Sequence, residues 1–106
     1  MILIVVKYRV KPEAKDTFLD AVADFTAATR AEPGNLWFEW SRSVERDDEF
    51  VLVEAFQDGT GEAHVNSDHF RAGLETMKPL LAETPLIVSR QVEGEGWERM
   101  GELQID

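Results

Sequence analysis

Residues 36–56, LWFEWSRSVERDDEFVLVEAF, decide the fold. Leu36, Phe38 and Trp40 alternate with Trp37, Glu39 and Ser41. That two-residue period is a strand's, here over 36–43, with aromatic side chains on both faces. Glu45-Arg46-Asp47-Asp48-Glu49 is polar and turn-like, and Phe50–Phe56 is apolar again. The stretch predicts two antiparallel strands joined as a hairpin.

Upstream, Ile2–Val10 is a near-continuous, β-branched apolar run, the pattern of a strand covered on both faces. Between this strand and the hairpin, Phe18, Val22, Phe25 and Thr29 recur at helical spacing, with Asp16, Asp20 and Asp24 on the opposite side. One helix is expected over 12–31, opened by Pro12 and closed by Glu32-Pro33-Gly34-Asn35, with Gly34 at positive φ. Downstream, Gln57–Gly61 reads as a loop and 62–83 as a helical region in two parts. Ser67 is its internal N-cap, Phe70, Leu74, Met77 and Leu81 its buried stripe, and Pro79 its end. Leu86–Val92 is the fourth strand.

The order is β-α-β-β-α-β, the α+β ferredoxin-like plan: a four-stranded antiparallel sheet with two helices on one face. Residues 1–93 form the domain, and 94–106 a polar, acidic tail carrying Trp97 and Met100. Helices on one face leave the other bare, yet Val51 and Val53 oppose Phe50 and Leu52, and Trp37 opposes Phe38. A homodimer packed sheet against sheet on a two-fold axis, with the tail closing over the partner, is the expected remedy.

The chain has 106 residues, 21 acidic against 11 basic, for a net charge of −10. Phosphate backbones and anionic lipid would repel it, which argues against nucleic acid or membrane partners. There is no cysteine, so thiolate chemistry and disulfides are excluded. MILIVVKYRV is too short and lacks the flanks of a signal peptide, and a cytoplasmic location is expected.

Both histidines lie between Phe50 and Phe70. His64 can project into a cavity as a base or substrate anchor, or be a structural histidine bonded to backbone. On an unbroken helix His69 would sit about 140° from it, so the two would not converge on one ion; a break at Ser67 weakens that argument. With no third ligand at metal spacing, no metal is expected, and His69 faces solvent or an interface instead. Glu54 shares a strand face with Leu52 and Phe56. It can orient His64, act as the base itself, or pair with Arg42 or Arg90. Trp37, Phe38 and Trp40 read first as packing and second as cavity wall. Gly59 and Gly61 lack the setting of a phosphate loop.

Three segments, Glu32-Pro-Gly-Asn35, Phe50-Val-Leu-Val-Glu54 and Ala63-His64-Val-Asn-Ser67-Asp-His69-Phe70, together resemble the antibiotic biosynthesis monooxygenase family of dimeric α/β-barrel proteins, over about the first 90 residues. The resemblance implies a small quinol or polyphenol held between sheet and helices and oxidised by molecular oxygen without metal or flavin. His64 and Glu54 would be the catalytic pair, and Trp37, Trp40, Phe56, His69 and Phe70 the substrate-binding residues. Phe56 stands where many relatives carry Trp. The haem-degrading branch's Asn, Trp and His fall here on Val6 or Lys7, on His64 and on Leu74, which argues against haem. Two other activities fit the sequence: an isomerase or processing enzyme for a small polar metabolite, and a non-catalytic binding module.

Overall fold

The computed structural model describes all 106 residues. The strands are β1 (Ile2–Arg9), β2 (Asn35–Arg42), β3 (Glu49–Phe56) and β4 (Leu86–Gln91), in the order β2-β3-β1-β4. Every neighbouring pair is antiparallel. The helices are α1 (Phe18–Ala21), α2 (Ala23–Arg30), α3 (Gly61–Val65) and α4 (Asp68–Met77), with single 3₁₀ turns at Pro12–Ala14 and Lys78–Leu80. This is the expected ferredoxin-like plan.

The single helix expected over 12–31 is broken into three pieces. Val22 leaves the helical region at φ −97° and ψ 9°. Thr26 Oγ1 donates back to the Val22 carbonyl at 2.8 Å, beside the Thr26 amide at 2.9 Å, a threonine back-bond of the kind that bends helices. The same hydroxyl accepts a 2.9 Å bond from Trp40 Nε1, tying α2 to β2.

Gly34 does not take the positive φ expected of it. It is glycine because of close approach: a Cβ there would fall 2.2–2.6 Å from the Thr60 side chain. The Gln57 amide donates to the Gly34 carbonyl at 2.8 Å, so the turn after α2 is fastened to the loop before α3.

Ser67 does cap α4, accepting from the Phe70 amide at 3.1 Å, and it also donates to the His64 carbonyl at 2.7 Å. One hydroxyl thus closes α3 and opens α4. Helix α4 ends at Met77, ahead of Pro79.

The core lies between sheet and helices. Phe18, Phe38, Phe50, Leu52, Val10, Val22 and Met77 are fully buried there, and each side chain of this size stabilises by about 1.5–3 kcal/mol. Gly73 brings α4 close to α2; a Cβ would meet the Phe25 ring at 2.7 Å. On the opposite sheet face, Leu3, Val5, Val51 and Val53 are only half-buried. On β4, Leu86 is 65% and Val88 56% exposed. The tail folds back far enough for Trp97 to stack on Trp37, centroids 5.0 Å apart.

Candidate active site

Register places the chemistry. Glu54 on β3 lies opposite Ile4 on β1 and Phe38 on β2, so its side chain points to the helix-covered face. There it meets a cavity of about 250 Å³ between the sheet and helices α3 and α4. Ile4, Val6, Phe25, Phe70, Leu74, Met77 and Ile87 supply an apolar lining; Glu54, His64 and Tyr8 are its polar groups. Two wider hollows flank it. One of about 370 Å³ lies between Tyr8 and residues 81–85, and one of about 500 Å³ lies beside Phe56 and Gly61. The smaller space is the candidate site, because it alone combines an apolar lining with the Glu54 carboxylate.

Glu54 is 5% exposed. Burial, and secondarily the negative charge of Glu32, push its carboxyl up to about 7. The expected pairing with Arg42 or Arg90 does not occur. Arg90 lies opposite Leu3, on the other face of the sheet. Arg42 donates to the Lys15 carbonyl and sits over the Phe50 ring. Glu54 instead faces His64, with Oε1 3.8 Å from Nε2. That is too long for a hydrogen bond, so burial and not the imidazole governs its acidity.

His64 is 3% exposed, near the C-terminal end of α3. Phe56, Phe70 and Phe25 surround its ring at centroid distances of 4.7, 5.0 and 6.0 Å. Its Nδ1 lies 2.7 Å from Glu32 Oε2. His69 Nε2, from the first turn of α4, lies 2.6 Å from the same oxygen. A carboxylate only accepts, so both nitrogens donate, and the lone pair of a neutral His64 ring is left at Nε2, toward Glu54.

Sequence reasoning placed the two histidines on diverging faces of an unbroken helix, without a third ligand. That expectation fails. Asn66 ends α3 and Ser67 starts α4, so the rings belong to different helices and meet at Glu32. The donor atoms of Glu32, His64 and His69 all lie within 4.8 Å of one another.

The remaining named residues divide. Phe56 and Phe70 stand against His64, and Phe70 lines the cavity. Trp40 is on the correct face but packs on Tyr8 and Phe18 and is not part of the cavity lining. Trp37 lies on the opposite face, opposite Ala55 and under Trp97. Glu32 and Tyr8 were missed. Glu32 stood inside the quoted turn motif, where it was read only as backbone. Tyr8 was absorbed into an apolar strand; burial and the Glu54 charge push its hydroxyl's pKa further up, so it stays a neutral donor.

The family model described as antibiotic biosynthesis monooxygenase matches residues 1–76. The Bacillus subtilis (strain 168) protein YcnE, provisionally designated a monooxygenase, is 31% identical over 91 residues, which is 85% of this chain and 95% of YcnE. Solved structures from Nitrosomonas europaea and Caulobacter crescentus CB15 both bear provisional antibiotic biosynthesis monooxygenase designations. Each superposes with a TM-score of 0.79 at 26% identity. They cover 87% of this chain, and 98% and 90% of their own lengths respectively.

Proposed function

The chain belongs to the antibiotic biosynthesis monooxygenase family, and on that premise we propose that it oxidises a small phenolic or quinol substrate with molecular oxygen. The observation that carries this reading is the Glu54 carboxylate set in an otherwise apolar cavity of about 250 Å³. That volume lies just under the roughly 300 Å³ at which drug-sized pockets begin, and suits one or two fused rings.

The chemistry asks for a base, an apolar wall and room for oxygen. Glu54, poised at about 7, takes the acidic proton of the substrate. The Tyr8 hydroxyl donates to the oxygen of the resulting anion, and His64 Nε2 lies within reach to hold the displaced proton. The anion's ring carbon attacks oxygen, forming a C–O bond and, after protonation, a hydroperoxide. That hydroperoxide loses water: the O–O bond breaks, the carbon's remaining hydrogen leaves as a proton, and a carbonyl forms. A ring CH₂ (the keto form of the phenol) plus O₂ thus gives C=O plus H₂O, with all four electrons drawn from the substrate.

The mostly apolar lining favours this over an isomerase of a polar metabolite, which calls for a wetter pocket. A second copy of the chain, covering the open sheet face along Leu86 and Val88, completes the assembly in this reading. The test is oxygen uptake with dihydroxynaphthalenes, hydroquinones and anthrones, beside protein-free autoxidation blanks, for wild type, Glu54→Gln and His64→Ala. Uptake above the blank that falls in Glu54→Gln supports the assignment. Uptake no faster than the blank with every substrate defeats it. Uptake unchanged in Glu54→Gln removes that carboxylate from the role of base.

A further inference from the structure

We propose that Glu32, His64 and His69 form a site for one divalent transition-metal ion of the zinc or iron(II) class, held through His64 Nδ1, His69 Nε2 and a Glu32 oxygen. The proposal goes beyond the oxygenase reading and does not depend on it, since it concerns binding at a cluster behind His64 and not the cavity in front.

The donor chemistry fits first. Two neutral imidazoles and a carboxylate are a set that zinc takes, and with positions left open it is also the iron(II) set. The donors come from three separate elements, the turn after α2, α3 and α4, so their convergence is tertiary and not a helical repeat.

Spacing fits next. Bonds of about 2.0–2.2 Å place ligand atoms of a tetrahedral site roughly 3.3–3.6 Å apart. Glu32 Oε2 now stands 2.7 and 2.6 Å from the two nitrogens, and the whole set lies within 4.8 Å. The ion therefore asks for side-chain rotations on the order of 1 Å, with the hydrogens moved off Nδ1 of His64 and Nε2 of His69.

The surroundings complete the pattern. A metal-bound imidazole commonly donates its other N–H to a carboxylate that fixes the ring. Glu54 Oε1 is the carboxylate nearest that position, 3.8 Å from His64 Nε2, and the side-chain rotation that admits the ion would have to bring the two into hydrogen-bond reach. Access is one-sided: the His64 side chain is 4% exposed, whereas His69 is 27% and Glu32 14% exposed. An ion can enter past His69, keep a water on that side, and be gripped from the interior by His64.

The experiment is calorimetric titration of zinc sulfate into chelator-dialysed, full-length protein, with His69→Ala and Glu32→Gln in parallel. Cobalt(II) visible absorption provides a second readout. Wild type is expected to take up one ion per chain. Each variant should bind at least about tenfold more weakly, since one of three protein ligands is gone, and the cobalt bands should vanish in His69→Ala. In wild type alone, zinc should also shift the ring proton resonances of both histidines, a readout that needs no variant to fold. Absence of saturable uptake overturns the proposal. Equal affinity in wild type and variants, or no shift of either imidazole, also overturns it, by placing the ion on the acidic surface of this −10 chain.

Discussion

Glu32 Oε2 lies 2.7 Å from His64 Nδ1 across 32 residues of sequence, and the same carboxylate raises Glu54 through its charge. One side chain therefore fixes which nitrogen of the ring carries hydrogen and adds, after burial, to the rise in the neighbouring acid's pKa. His69, on the same oxygen at 2.6 Å, holds that carboxylate from the solvent side.

Glu32→Gln should act on both. Without the negative charge, Glu54 drops from about 7, although burial, the larger cause, keeps it above the ordinary carboxylate range. With Glu54 as base, activity rises with pH as it ionises, so the ascending limb of the kcat profile should move to lower pH in the variant. The plateau kcat should fall by less than the roughly 100- to 10,000-fold that a general base itself contributes, with KM little changed. A pH–rate profile checks this; an unmoved limb would separate Glu32 from Glu54.

Glu54 also ties stability to pH. Its folded value of about 7 lies above its ordinary 4.5, so the folded state holds the proton more tightly than the unfolded one. That contribution is fully present below about 4.5 and is lost as pH climbs to about 7. At 1.36 kcal/mol per pH unit the loss is about 3 kcal/mol. Urea unfolding at pH 4.5 and 7.5 should show wild type losing that much relative to Glu54→Gln, which has no proton to release. Parallel curves for the two would refute the assignment.

Gly73→Ala sets two known effects against each other. Alanine is favoured over glycine inside a helix by about 1 kcal/mol. Here its methyl group would lie 2.7 Å from the Phe25 ring, between α2 and α4. Overpacking of that kind costs about 1–3 kcal/mol and should win, because both helices are anchored to the sheet. The melting temperature should fall by several degrees; a rise would mean that α4 shifts freely.

Val88→Lys addresses the open sheet face. Val88 pairs with Val5 and is 56% exposed on the side away from the helices. A charge there should convert the expected dimer to monomer in sedimentation velocity, leaving the far-ultraviolet spectrum intact. A wild-type protein that already sediments as a monomer at micromolar concentration would remove the dimer from the reading.

The sheet was legible because its signals are local. Alternation in 36–56 fixes two strands, and strand parity alone puts Glu54 with Phe56 and Leu52. Parity also held the answer that the Arg90 pairing missed: Arg90 lies opposite Leu3 and Glu54 opposite Ile4, on opposite faces. The helix breaks were harder, since Val22 fits the helical pattern and its departure from helical φ and ψ has no local sequence signal; Thr26 back-bonds to its carbonyl and accepts from Trp40 on β2. The Glu32 cluster was the least legible part. Its partners lie 32 and 37 residues away, and no periodicity spans that distance.

The contact between Gly34 and Thr60 sets the tolerance of the site from outside it. Gly34 sits two residues after Glu32, Thr60 four before His64, and each fills the space the other leaves. A side chain added at 34 would wedge the turn outward and carry the Glu32 carboxylate with it, stretching two short contacts without touching either histidine. The alignment of the Glu32, His64 and His69 cluster is thus set at a joint that lies outside it. Variation at 34 and 60 would have to be inherited as a matched pair.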